Sequence, residues 1–168
     1  MSKLVSCVML SLIIAYAFVL VSNIQPARAW TGSIKILKDG SVSPSTAPIQ
    51  RNGNIYTLTD NITGDTDGIT ILKSNMILDG AGYTVQGSWS WDGIILWKVS
   101  DVTIKNIKIK QFYRGLFLID SSHNTISANN VTGNDWAGID LIGSSSNTIE
   151  NNMPVSYTHL TLPTKRIV

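Results

Sequence analysis

The sequence predicts an all-β fold, a single-stranded parallel β-helix (solenoid) of about four coils with a strand-and-loop cap at its start. Three observations predict it. One phrase recurs as Gly68-Ile-Thr-Ile-Leu-Lys-Ser, Gly93-Ile-Ile-Leu-Trp-Lys-Val-Ser, Gly115-Leu-Phe-Leu-Ile-Asp-Ser and Gly138-Ile-Asp-Leu-Ile-Gly-Ser, with its glycines 25, 22 and 23 residues apart. A second phrase follows at matching distance, as Val102-Thr-Ile-Lys-Asn, Asn124-Thr-Ile-Ser-Ala-Asn and Asn147-Thr-Ile-Glu-Asn-Asn, with Asn75-Met-Ile-Leu-Asp-Gly as a looser copy. Within the phrases apolar residues alternate with period two, the signature of a strand with one buried face. A fixed period of this length built from short strands means stacked repeats.

Taken in order, residues 1–29 read as a secretory signal peptide. Lys3 precedes an apolar run from Leu4 to Val21, and Pro26-Ala27-Arg28-Ala29 supplies an Ala-x-Ala cleavage site before Trp30. The competing reading is an uncleaved membrane anchor, for which the run is near the lower length limit. Residues 30–66 carry two alternating runs, Ile34-Lys-Ile-Leu and Ile55-Tyr-Thr-Leu-Thr, separated by Pro44 and Pro48. They are expected to cap the stack, since a stack of coils ends in an unpaired strand edge.

Residues 67–153 hold the coils. Placing the residue after each glycine inside gives Ile69 and Ile71, Ile94 and Leu96, Leu116 and Leu118, Ile139 and Leu141. Second strands then bury Met76, Leu78, Val102, Ile104, Ile126 and Ile149, and third strands bury Val85, Ile109 and Val131. Asn124 with Asn147, and Asn129 with Asn152, recur at equivalent corners. Asn and Gly tolerate the left-handed backbone of such bends, and stacked Asn side chains can bond to the coils above and below, about 4.8 Å away.

Residues 154–168, within Val155-Ser-Tyr-Thr-His-Leu-Thr-Leu-Pro-Thr-Lys-Arg-Ile-Val168, abandon the repeat and resemble a translated sequencing adapter. The chain is therefore read as truncated near Met153, with a genuine capping strand as the alternative. Removing Lys3, Arg28, Lys165 and Arg166 with the two ends leaves nine basic against eleven acidic residues, so the formal charge of +2 becomes about −2 and argues against a nucleic-acid partner. The only cysteine, Cys7, leaves with the signal segment, so the mature part has no thiol chemistry.

Between Ile55 and Asn152, the Gly-Ile-x-Leu and Asn-Thr-Ile-x-x-Asn-Asn phrases resemble the right-handed parallel β-helix repeats of the NosD-like group, also called carbohydrate-binding and sugar-hydrolase repeats. Asp79-Gly-Ala-Gly-Tyr-Thr-Val-Gln-Gly87 is similar to the entry turn of secreted microbial members. The resemblance implies the fold. It does not fix a function, because this scaffold hosts lyases, hydrolases, epimerases, adhesins and stalks.

An enzyme of that kind needs carboxylates clustered on an outward face. The outward first-strand columns are Thr70, Ile95, Phe117, Asp140 and Leu72, Trp97, Ile119, Ile142, with one acid among eight, and Asp92 and Asp120 do not stack in register with Asp140. No catalytic residue is assigned, and the alternative is a polysaccharide lyase or hydrolase whose catalytic coils are missing. Trp97, Phe117, Trp91 and Trp136, with Trp89, are candidates for stacking against sugar faces. The bland alternative is that the apolar column is covered by a loop, the cap or a later part of the protein.

The family name suggests copper, yet His123 is the sole histidine outside the tail, and Met76 and Met153 lie far apart in the repeat; no metal or cofactor is expected. Asn61-Ile-Thr63 and Asn130-Val-Thr132 are candidate glycosylation sequons. The expectation is an exported, cell-surface, non-catalytic scaffold whose partner is a polysaccharide or surface glycan. Membrane contact is expected only through the signal segment or a missing C-terminal anchor.

Overall fold

The computed structural model describes residues 29–153. The expected signal segment, except its last residue, and the expected foreign tail lie outside the described residues. Among the described residues all regular structure is β, and there is no helix long and apolar enough to cross a membrane.

The chain begins with β1 (Trp30–Thr31), β2 (Ile34–Ile36), β3 (Val42–Ser43), β4 (Ile49–Asn52), β5 (Ile55–Leu58) and β6 (Ile62–Thr63). The regular coils follow as β7 (Ile69–Ile71), β8 (Met76–Asp79) and β9 (Thr84–Gln86), then β10 (Asp92–Trp97), β11 (Val102–Lys105) and β12 (Lys108–Lys110). The third coil is β13 (Arg114–Ile119), β14 (Thr125–Ser127) and β15 (Asn130–Thr132), and the fourth enters as β16 (Ala137–Ile142) and β17 (Thr148–Glu150). They stack as a right-handed β-solenoid of about four turns with three faces, ordered β3-β2-β7-β10-β13-β16, β4-β5-β8-β11-β14-β17 and β1-β6-β9-β12-β15.

All strand neighbours pair in parallel except β2 with β3 and β4 with β5. Those two antiparallel pairs close one end of the stack, since a strand folded back against the edge satisfies its open donors and acceptors. Parallel pairing thus starts at β1, β2 and β5, earlier than the regular phrases. The cap is itself an irregular coil, anchored by Tyr56, whose buried hydroxyl donates to the Gly40 carbonyl at 2.7 Å.

Register follows the repeat spacing. Ile69, Ile94, Leu116 and Ile139 form one inward column, and Ile71, Leu96, Leu118 and Leu141 the next. These residues, with Met76, Leu78, Val85, Val102, Ile104, Ile109, Ile126 and Val131, are all buried. Removing each large aliphatic chain from water contributes roughly 1.5–3 kcal/mol, and the narrow core repeats that gain in every coil.

The corners are held by side-chain ladders. The Asn124 Oδ1 accepts from Val102 N at 2.9 Å while its Nδ2 donates to Asn147 Oδ1 at 3.1 Å and to the Val99 carbonyl at 3.3 Å. Asn129 repeats this, accepting from Ile107 N at 3.1 Å and donating to Asn152 Oδ1 at 3.1 Å. At the other end of the second corner, Ser121 Oγ accepts from Val99 N at 3.1 Å and Ser144 Oγ accepts from Ser121 N at 3.0 Å. The ladder asparagines do not adopt the left-handed backbone expected of them. That strain falls on the residue just before each, His123, Ala128, Ser146 and Asn151, with φ of 54–61°.

The first-strand glycines have a different cause again. None of Gly68, Gly93, Gly115 and Gly138 has a positive φ. At Gly115 a Cβ would lie 2.6 Å from the Gly138 carbonyl oxygen and 2.6 Å from Val131 Cγ1, and Gly68 and Gly93 would likewise collide with the next glycine's carbonyl. Gly68, Gly93 and Gly115 are glycine because the main chain of the next coil and an inward third-strand side chain, Val85, Ile109 or Val131, leave no room for a Cβ.

Candidate functional site

The corner between the third face and the following first strand gathers four of the five large exposed aromatic residues among those described, Trp97 standing apart. Phe112 is fully buried, packed where Gly93 leaves room, since a Cβ there would stand 2.9 Å from Phe112 Cδ2. With Phe112 inside, the next residue, Tyr113, turns outward. Tyr113 N donates to the Trp91 carbonyl at 2.7 Å, and Trp136 N donates to the Tyr113 carbonyl at 2.8 Å, so Trp91, Tyr113 and Trp136 occupy one column on three consecutive coils. They are 49, 38 and 43 % exposed. The Tyr113 and Trp136 rings are 6.0 Å apart between centroids at 17°, within the range of favourable aromatic pairing. Trp89, also exposed, projects from the same corner on a left-handed backbone.

Beside this column an ion cluster links three coils. Arg114 donates from Nε to Asp92 Oδ1 at 2.7 Å and from its Nη2 to Asp92 Oδ2 at 2.8 Å, a bidentate pair. Its Nη1 approaches Asp140 Oδ2 at 3.5 Å. The guanidinium carbon lies 3.4 Å from the Phe117 ring centroid and 5.7 Å from that of Tyr113. Burial opposes the Arg114 charge, but the hydrogen bond and charge of Asp92, with Asp140 behind, hold its pKa above the ordinary guanidinium value. Asp92 and Asp140 do belong to different columns, as expected, yet Arg114 brings both carboxylates into one group.

This arrangement corrects the reading of Phe117. Its ring points outward in the Thr70, Ile95, Asp140 column as expected, but it is only 7 % exposed because Arg114 lies over it. Phe117 therefore supports the guanidinium and presents no open face to a sugar. Trp97 is exposed, in register with Ile119 and Ile142, but lies five residues along β10 from Asp92, about 17 Å from that residue and one residue further from the aromatic column. Of the candidates, the structure brings together Trp91 and Trp136, with Trp89 nearby, adds Tyr113, and leaves Trp97 apart. Among the described residues neither cap nor loop covers Trp97 and Ile142, which are both about half exposed.

Asn61 is exposed, with its Oδ1 accepting from Thr84 N at 2.9 Å. Asn130 lies in β15 with its Oδ1 shut away from solvent and without a hydrogen-bond partner. Of the two sequons, the one at Asn61 is the open one.

Residues 41–159 match a family model described as periplasmic copper-binding protein (NosD). The chain belongs to the NosD family. A search of curated proteins and a search of solved structures each found no match. The copper in the family's description does not fit the described donors of this NosD chain. His123 stands exposed at a corner, Met76 is buried in the core two coils away, and Met153 pairs with β15 on another face. Asp92 and Asp140 are hard oxygen donors turned to Arg114, whereas copper sites gather imidazole or soft sulfur ligands. Among the described residues no three His, Cys, Asp or Glu side chains converge on a common point.

Proposed function

We propose that this NosD-family protein is an exported, cell-surface β-helix that binds or displays carbohydrate without transforming it. The observation that carries the reading is the column of half-exposed rings Trp91, Tyr113 and Trp136 on successive coils. Exposed aromatic rings on a rigid scaffold offer apolar faces and edges to the C–H faces of sugars, and the Trp N–H groups add donors. The periplasmic description of the family and the signal-like segment from Lys3 to Ala29 support export.

A second reading, a polysaccharide lyase or hydrolase, draws on the carboxylates of Asp92 and Asp140 gathered by Arg114. General acid-base work needs a carboxyl group free to reach the substrate. Here both Asp92 oxygens are bonded to Arg114, which suits a clamp between coils better than a proton carrier. A glycan array followed by product analysis separates the two. Retention of a glycan without new reducing or unsaturated ends supports binding, release of such ends overturns it in favour of the enzyme, and neither result leaves an inert stalk.

A further inference from the structure

The charges around the aromatic column narrow the ligand. One flank carries Asp67, whose Oδ1 accepts from Asp92 N at 3.1 Å, then Asp92 and Asp140 with Arg114 between them. Asp135, exposed, directly precedes Trp136. The opposite flank is the outer face of β9, β12 and β15, where Thr84, Gln86, Lys108, Lys110, Asn130 and Thr132 stack in register and no acid occurs. Four carboxylates and three cations thus surround the rings, Asp67, Asp92 and Asp140 with Arg114 on the first-strand side and Asp135 with the exposed Lys108 and Lys110 on the third-strand side.

From this distribution we infer that the Trp91–Tyr113–Trp136 corner takes a linear glycan of uncharged pyranose residues lying along the helix axis. The inference rests on the carbohydrate-binding reading and adds the substrate class. A polyanionic chain crossing the column would gain from Lys108 and Lys110 but meet Asp67, Asp92, Asp135 and Asp140 within a Debye length of about 10 Å, and a polycation would meet the reverse. A neutral polyhydroxylated chain has no such conflict. Its hydroxyls donate to the carboxylates and accept from the lysines and from Gln86, while its C–H faces rest on the rings. The axial direction follows because the rings recur once per coil, so successive sugar units meet successive rings.

The test is calorimetric titration of the full chain with three matched oligosaccharides, a β-linked neutral hexose hexamer, a hexuronate hexamer and a glucosamine hexamer. The expected result is tightest binding of the neutral hexamer, unchanged when ionic strength rises from about 0.05 to about 0.5 M. Trp91→Ala combined with Trp136→Ala should weaken it about tenfold. Trp97→Ala serves as the control away from the corner and should leave it intact. Tighter, salt-sensitive binding of either charged hexamer overturns the inference and leaves the carbohydrate reading standing. Failure of all three by a chain with the β-sheet dichroism and melting of the folded protein overturns both.

Discussion

Replacing Asn124 with alanine tests whether the corner ladder or the apolar core holds the coils in register. Asn124 is 1 % exposed and satisfies two buried main-chain groups that no strand pairing reaches. Its loss leaves the Val102 N–H without its acceptor at 2.9 Å and the Val99 carbonyl without its donor at 3.3 Å. Asn147 Oδ1 keeps the main-chain donor of residue 124 at 2.8 Å, so the damage does not spread along the ladder. A buried group left unsatisfied costs about 1–3 kcal/mol, and the longer of the two bonds counts at the low end, so Asn124→Ala should lose about 2–4 kcal/mol. Asn124→Asp keeps the acceptor for Val102 but turns an oxygen toward Asn147 Oδ1 and the Val99 carbonyl, both acceptors, and should lose at least as much. Asn152→Ala, on a half-buried rung where water replaces the amide, should lose less. Equilibrium unfolding in urea followed by far-ultraviolet circular dichroism, compared at a common slope, gives the three values. An Asn124→Ala midpoint within about 0.5 kcal/mol of wild type would refute the ladder as a source of stability.

Leu118→Asp places an unpaired charge in the fully buried first-strand column and should unfold the stack outright, a loss above about 4 kcal/mol; unchanged dichroism and melting would contradict the inward assignment. Gly115→Ala should lose about 1–3 kcal/mol although its φ is ordinary, because the added methyl meets Gly138 O, Val131 Cγ1 and Asn134 Nδ2 at 2.6–2.7 Å; a variant that melts no lower than wild type would show that the coils separate freely. Burial raises the pKa of Asp79, but hydrogen bonds from Ala81 N, Asn106 Nδ2 and Lys105 outweigh it and hold the folded value below the ordinary one. The stability this group contributes is present above the unfolded value of 3.8 and is lost as pH falls through the lower folded value. Asp79→Asn should therefore flatten the acid limb of a stability profile taken between about pH 5 and pH 2, and parallel profiles for the two proteins would reject the assignment.

The fold was legible because a solenoid turns spacing into contact. Once Gly68, Gly93, Gly115 and Gly138 were aligned, the inward columns of the first strands followed by counting, and Leu116 had to stack on Ile94 and under Ile139, whereas the buried corner residues Val99, Ile107 and Phe112 lay outside the count. The cap was legible only as strands. Its parallel pairing to β7 was hidden because the antiparallel strands β3 and β4 stretch the spacing from Ile34 to Ile69 to 35 residues, whereas Ile55 to Ile77 and Ile62 to Val85, at 22 and 23, keep the coil spacing and were open to the same counting. The role of the corner residues was partly legible. Recurrence marked Asn124 and Asn147 correctly as ladder rungs, yet composition cannot say which of two adjacent residues bends, and His123 and Ser146 carry the left-handed φ instead. A glycine required by a neighbouring carbonyl and one required by its own φ look alike in a sequence.

The aromatic corner was within reach of the same counting, run backward from each glycine as well as forward. One residue before the glycines stand Asp67, Asp92, Arg114 and Ala137, which places a cation directly beneath two acids. Two residues before the last three stand Trp91, Tyr113 and Trp136, an aromatic column in three consecutive repeats. Forward counting missed both, and it took Phe117 as open because alternation gives the direction of a side chain without what covers it. The length differences between coils do not break this alignment. The first coil has two more residues than the second between its third strand and Asp92, and they are absorbed in the Ser88–Ser90 stretch, from which Trp89 projects. The insertion lies before Trp91 and is itself tied to the next coil, with Trp89 N donating to the Gln111 carbonyl at 2.7 Å, so Trp91 keeps its main-chain bond to Tyr113. The rings therefore stay in register for the reason the core does: main-chain bonds tie adjacent coils on both sides of the insertion, from Gly87 N to the Lys110 carbonyl at 3.1 Å and from Tyr113 N to the Trp91 carbonyl at 2.7 Å.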